Sequence, residues 1–289
     1  MSARPQTLAM QGIRKSHKTP WGHPVVYLLS VILVLICIVP VIYIIIGGFR
    51  TNSQITRYPA GLPKPWNFEN YKNVFASNIF WTELVNSLIV GVATMVGIVL
   101  LSLMVSFVLA RYEFRARNFM YSLFAAGMMF PITVAITPLY LLLKNLHLVN
   151  SHLGIILPQI AFGLPQAIII MVPFLKSIPT ELEEAAMIDG SSRLGFFFRM
   201  VLPLSWPGVA TVGILAFVAS WNAYMLPLFL LNDSSKYTLP LGVQMFSSQH
   251  SVDTAQVLAF TALSMIPALI CFTISQKKIV GGLAGAVKG

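Results

Sequence analysis

Six stretches of this chain stay apolar for membrane-crossing lengths, and that feature restricts the fold more than any motif does. They begin near Val25, Leu84, Met120, Leu153, Pro207 and Val257 and end near Gly47, Ala110, Leu143, Phe174, Leu231 and Ser275. A helix crosses a hydrocarbon core of about 30 Å with about 20 residues, so each run predicts one span. Backbone N–H and C=O groups in lipid must be paired inside the element, which leaves only helices and closed barrels. Barrel strands alternate apolar and polar residues, whereas these runs are continuously apolar. Only 10% of the 289 residues are charged, against roughly a quarter in a soluble domain. The expected architecture is therefore all-α, a polytopic membrane protein with six transmembrane helices. Asn86 and Ser87 open the second run and Pro131 and Pro138 interrupt the third; prolines are tolerated inside spans when neighbours satisfy the freed carbonyls.

Three regions follow. Residues 1–24 form a polar, basic N-terminal tail, 25–275 the membrane domain, and 276–289 a C-terminal tail. The first apolar run is too long for the core of a cleaved signal peptide. An even number of spans puts both termini on one side. That side carries 13 of the 19 Lys and Arg residues and the other carries 6, so the positive-inside rule places both termini, and the loop at about 177–203, in the cytoplasm. On the opposite side, Pro59, Pro63 and Pro65 predict extended chain and Asn67–Lys72 a short surface helix. A second sizeable loop there runs from Asn232 to Gln256, polar and long enough to meet an external partner. The net charge of +10 is dispersed over several loops, which does not make a nucleic-acid-binding stripe.

Catalytic chemistry finds no support. Cys37 and Cys271 lie inside spans, the five histidines have no i, i+4 partner to hold a metal, and no GxxxxGK[ST] phosphate loop is present. The nine acids all fall outside the apolar cores as delimited above. Ion-coupled transporters usually keep ionisable groups at mid-membrane despite a cost of roughly 2.5 to 3.5 kcal/mol, so the energy for any transport is expected to come from elsewhere. A secondary transporter or channel is the rival class. The spans instead hold neutral polarity: Ser102, Ser106, Thr133, Thr137, Gln159, Gln166, Ser220, Asn222, Thr261 and Ser264. Two readings are open, interhelical hydrogen bonding or a pathway for a neutral, hydroxyl-rich solute.

Residues 181 to 203 are a polar island between two membrane-length runs. Thr180 and Glu183 have the spacing of a capping box, and Gly190 stands where a helix would end in the left-handed conformation. A helix of about nine residues is predicted, with Leu182, Ala185, Ala186 and Asp189 on one face and the two alanines permitting close approach. A short acidic helix kept between spans is expected to meet a partner.

Here the residues resemble a known family. Glu184-Ala-Ala, three residues, Gly190, nine residues, then Met200-x-Leu202-Pro203 is similar to the EAA loop of permease subunits of bacterial ATP-binding-cassette (ABC) importers, with Met200 where Ile is usual. Glu69-Asn-Tyr71, Asn86-Ser87, Ala110-Arg-Tyr112, Leu157-Pro158, Ser177-Ile-Pro179, Ile188-Asp-Gly190, Trp221-Asn222, Tyr237-Thr-Leu-Pro240 and Gly285-Ala-Val-Lys-Gly289 extend the resemblance over nearly the whole chain. They narrow it to the carbohydrate branch, the small permease of the maltose-transporter type. Two departures stand out: Ala223 follows Trp221-Asn222 where an acid is common, and no Thr precedes Gly285.

The resemblance implies a type I ABC importer permease fold in a bacterial inner membrane, multi-pass. It implies a second homologous permease, two ATPase subunits that bind ATP and Mg, an extracytoplasmic sugar-binding protein, surrounding lipid and a sugar substrate. The chain itself would carry no cofactor and no enzymatic activity. Coupling to the ATPase would fall to Glu181, Glu184, Ala185, Ala186, Asp189, Gly190, Leu202 and Pro203, and the terminal tail would reach toward the ATPase dimer. The substrate pathway would involve Thr133, Thr137, Gln159, Gln166, Ser220, Trp221 and Asn222. An importer of the same superfamily for a non-sugar solute is the nearest alternative.

Overall fold

A computed structural model describes residues 24–246 and 253–287. The expected N-terminal tail, apart from Pro24, and the loop tip at Ser247–His250 lie outside the described residues. The chain divides into two units, Met1–Tyr43 and Ile44–Gly289. The described part of the first is the start of α1 (Pro24–Gly47), apolar on every side.

Past α1, the second unit contains α2 (Asn52–Arg57), α3 (Glu69–Ala76), α4 (Asn78–Arg111), α5 (Arg117–Gly127), α6 (Ile132–Asn145) and α7 (His152–Lys176). After these come α8 (Glu181–Ile188), α9 (Arg193–Leu204), α10 (Trp206–Trp221), α11 (Met225–Leu230) and α12 (Thr254–Val287). No strand occurs among the described residues. Hydroxyl caps start several helices. Ser77 Oγ accepts from the Ile79 N–H, Ser151 Oγ from that of Gly154, and Thr51 with Gln54 closes a full capping box.

Helices α1, α4, α7 and α12 are each long and apolar enough to cross a membrane. The third expected span is broken instead of straight, and the fifth is preceded by a bend at Ser205. Helices α5 and α6 meet at 97°, and α9 and α10 at 74°; counting each pair as one span restores six. Pro131 explains the first break. It has no N–H to donate and disfavours helical backbone at Phe130, so the chain turns at Met128–Phe130, whose N–H groups bond back to Ala125, Ala126 and Gly127. Pro138, by contrast, stays within α6. The fifth run, expected to continue to Leu231, ends at Trp221, and Met225–Leu230 forms its own helix. The last helix extends to Val287, twelve residues beyond the apolar run that predicts it.

Helices α4, α7 and α10 make the centre. One buried cluster joins Ile98 and Leu103 of α4, Met171 and Leu175 of α7, and Val209 and Val212 of α10. A second joins Phe80, Phe217, Trp221 and Phe260, bringing α12 against α10 and α4. Cys37 and Cys271 are both free thiols.

Glu83 departs from the sequence reading, which leaves every acid outside the spans. Helix α4 starts at Asn78, before the apolar run, and carries the Glu83 side chain into a wholly buried position. Neither carboxylate oxygen has a hydrogen-bond partner among the described residues, and the group lies against Gly242, where a Cβ would overlap it. Gly242→Ala is therefore expected to destabilise the subunit by about 1 to 3 kcal/mol through overpacking, read as a lower melting temperature in detergent.

The start of the Asn232–Gln256 loop, residues 232–239, is tied to the spans. Asn86 Nδ2 donates to the carbonyls of Ser235 and Tyr237, each at 2.9 Å, and Ser87 Oγ accepts from the Leu239 N–H at 2.8 Å. Asn150, at φ 58° in the turn before α7, accepts from the N–H groups of Asn232 and Asp233 at 3.1 Å. The Ser235 hydroxyl and N–H on the Asp233 carboxylate hold it below the usual aspartate range.

Candidate functional site

A cavity of about 460 Å³ opens among α4, α7, α10 and the chain around α11, a volume ordinary for small-ligand sites. Its polar wall is Thr94, Gln159, Gln166, Ser220 and Asn222; Phe162, Tyr224, Met225 and Ile132 are among the apolar members. No acidic or basic side chain lines it. Gln159 ties three helices together, because its Oε1 accepts from Thr94 Oγ1 at 3.1 Å and from Ser220 Oγ at 2.6 Å. Its Nε2 has no partner among the described residues. A buried amide with a spare N–H is a standing donor for a hydroxyl or carbonyl oxygen. Neutral donors and acceptors beside aromatic faces suit a molecule with hydroxyl edges and C–H faces.

Four of the seven pathway residues read from the sequence line this cavity: Gln159, Gln166, Ser220 and Asn222. Thr133 and Thr137 do not; both are exposed on α6, which the break at Pro131 re-aims. Trp221 does not either. It is buried, donates from Nε1 to the Ser264 carbonyl at 3.3 Å and packs against Phe217, so its ring holds α10 to α12. Ser102, Thr261 and Ser264 bond to carbonyls of their own helices.

At the far end of the fold, the 181–203 island forms α8 and α9. The expected capping box is absent. Thr180 is already helical at φ −70° and ψ −26°, so its side chain does not cap the helix, and its carbonyl accepts from Glu183 and Glu184. Three glutamates in the first turn complement the positive end of the helix. The C-terminus is as expected. Gly190 has φ +77°, its N–H bonds to Met187 and that of Ser191 to Ala186, the two bonds of a Schellman motif.

The predicted face of α8 is divided. Ala186 is only 7% exposed and packs inward with Leu182 against the main cluster, whereas Ala185 and Asp189 face out. The outward surface adds Glu181, Glu184, Met187 and Ile188, the last 86% exposed, with Leu194 and Phe198 exposed on α9. Leu202 is partly buried against the cluster, while Pro203 is exposed. Met200 falls in a π-helical turn, Phe197–Val201, ahead of the bend at Ser205. The island is bolted to the spans: Arg111 Nη2 donates to the Ile178 carbonyl at 2.8 Å, Arg193 lies over the Tyr112 ring, and Phe107 meets Phe197 edge to face.

The family profile described as binding-protein-dependent transport system inner membrane component matches residues 98–284. The chain belongs to this family. The transport component is 34% identical over 265 residues to the diacetylchitobiose uptake system permease protein NgcG of Streptomyces coelicolor, covering 91% of this chain and 86% of that one. It is 32% identical to the arabinooligosaccharides transport system permease protein AraQ of Bacillus subtilis, covering 91% and 94%. Among solved structures, a chain from a bacterial ABC transporter involved in import of the acidic polysaccharide alginate superposes with a TM-score of 0.76 at 25% identity, covering 88% and 94%. The fold of the transport component is that of an ABC importer permease.

Thr94, Phe162 and Tyr224 of this permease line the cavity without having been singled out in the sequence. Thr94 carries a faint signal: it sits between Gly91 and Gly97, and those glycines admit Phe217 and Ile160 at close range. Small residues flanking a polar one mark a helix face that neighbours approach. Phe162 and Tyr224 give no such cue, since aromatic residues are abundant throughout the chain.

Proposed function

We propose that this permease forms half of the translocation pathway of an ATP-driven, binding-protein-dependent importer of neutral di- or oligosaccharides. The observation that carries the reading is the cavity, walled by five uncharged hydrogen-bonding side chains and aromatic faces with no ionisable group. Relatives named for diacetylchitobiose and arabinooligosaccharides support the same class. A second homologous permease completes the pathway, an extracytoplasmic binding protein delivers the sugar, and two ATPase subunits supply the energy by binding ATP and Mg. This chain contributes no catalytic group. Both termini and the 181–203 island face the cytoplasm, following the Lys and Arg bias.

Coupling runs through α8. Its outward residues Glu181, Glu184, Ala185 and Asp189 meet the ATPase, and Gly190 sets the exit of the chain. Ala186 and Leu202 act from inside, passing displacement to the cluster shared by α4, α7 and α10. Pro203 lies just ahead of the bend at Ser205. Gln159, Gln166, Ser220 and Asn222 take the sugar hydroxyls, and Trp221 positions α10.

Reconstituting the assembled importer in vesicles with its loaded binding protein tests the reading. Uptake of a neutral oligosaccharide is expected to require hydrolysable ATP and to survive collapse of proton and sodium gradients. Loss of uptake when the gradients alone are removed would reject ATP coupling.

A further inference from the structure

The loop between α1 and α3 folds around a second concavity, on the side of the membrane opposite α8 and separate from the sugar cavity. It is a cleft of about 480 Å³ beside α2, and its wall includes Arg50, Arg57, Lys64, Ser53, Gln54 and Tyr58, with no acid among its lining residues. Arg50 is 2% exposed. Its Nη1 donates to the Pro59 carbonyl at 2.9 Å and its Nη2 to the carbonyls of Gln54 and Tyr58, while Nε has no partner. Those carbonyl dipoles orient the guanidinium but bring no counter-charge. Among the described residues Arg50, Arg57 and Lys64 make no ion pair. A buried cation beside two further cations is costly unless an anion joins them.

The position of the cleft selects the anion. Arg50 lies three residues beyond Gly47, the end of α1, so the cleft sits where a spanning helix leaves the membrane. Tyr58 and Leu62 of its wall are exposed, and so are Trp66 and Phe68, whose rings pack on Phe49 next to Arg50. Aromatic residues at a span end mark headgroup depth, and basic clefts at that depth attract anionic lipid headgroups. We propose that this cleft binds the phosphodiester headgroup of an anionic phospholipid. Arg50 is the fixed charge, held in place by the loop carbonyls, and the exposed Arg57 and Lys64 close over the phosphate. The apolar rim takes the start of the acyl chains, which a soluble anion or an acidic protein surface would leave unused.

The test uses the assembled importer, purified and exchanged into nanodiscs of phosphatidylcholine with or without phosphatidylglycerol, with retained lipid read by native mass spectrometry. Phosphatidylglycerol is expected to be retained over phosphatidylcholine. Arg57→Gln with Lys64→Gln is expected to cut that preference by roughly 25-fold, about fivefold for each cation near the surface. Lys72→Gln with Lys144→Gln removes equal charge from the same side and is expected to leave it unchanged. Inorganic phosphate at millimolar concentration is expected not to displace the lipid. No preference in the native complex, an equal loss in both double variants, or displacement by free phosphate would each overturn the proposal. So would unchanged lipid retention with weakened capture of the binding protein, because the cleft would then be a protein-docking site.

Discussion

Ile188→Asp is expected to remove ATP-driven uptake from the assembled importer while leaving the membrane subunit folded. The side chain is 86% exposed on α8, and surface substitutions usually change stability by less than about 0.5 kcal/mol. A central apolar anchor in a docking surface is worth roughly 2 kcal/mol or more, which corresponds to about a thirtyfold loss of affinity. The measurement is the amount of ATPase retained on copurification, alongside uptake. Ala186→Trp gives the contrast. That position is buried within the subunit, so the larger ring lowers the yield and melting temperature of the permease itself. Gly190→Val falls between them. A Cβ there meets nothing within 4 Å, but φ +77° remains, and a left-handed residue costs a branched side chain about 1 to 2 kcal/mol. Full ATPase retention and full uptake by Ile188→Asp would mean that α8 is not the docking element.

Gln159→Leu has the second large effect, and it arises inside the membrane. The substitution takes the acceptor from Thr94 and Ser220 together. An unpaired buried hydroxyl costs about 1 to 3 kcal/mol, so uptake is expected to fall at least tenfold while ATPase copurification stays intact. Gln159→Glu separates site from scaffold. It keeps an acceptor for both hydroxyls but puts a carboxylate where the spare N–H stood. It is expected to assemble normally and still lose stimulation of ATP hydrolysis by the sugar-loaded binding protein. Normal uptake by both variants would remove Gln159 from the pathway.

What could be read in advance follows from the range over which each signal acts. Continuous apolarity is a property of a whole run, so the all-α architecture was legible in the length and continuity of the six runs. The bend at Pro131 was not, because Pro138 and the three prolines of α7 lie inside helices that continue. Whether a proline ends a helix depends on neighbours that can rescue the freed carbonyl. Glu83 misled because a hydropathy window stops at a charge, whereas the helix starts six residues before the apolar run and carries that charge inward. For Gly190 a single glycine sufficed, since the conformation is local. The orientation of Ala186 did not follow from spacing: periodicity groups residues on one stripe, but Ala186 turns inward onto a cluster that includes Phe196 and Phe197, which follow later in the chain.

The break between α5 and α6 bears on how the protein reaches its final state. Eleven residues rise about 16 Å and fourteen about 21 Å, and neither length crosses a hydrocarbon core of about 30 Å. By sequence this stretch is one hydrophobic segment, yet the folded protein holds two short rods at nearly a right angle, with Met129 and Phe130 exposed at the elbow. The pair spans only as a unit, and its two halves are held by different neighbours, α5 by α7 and α6 by α11, so a shift of either neighbour is felt at the elbow.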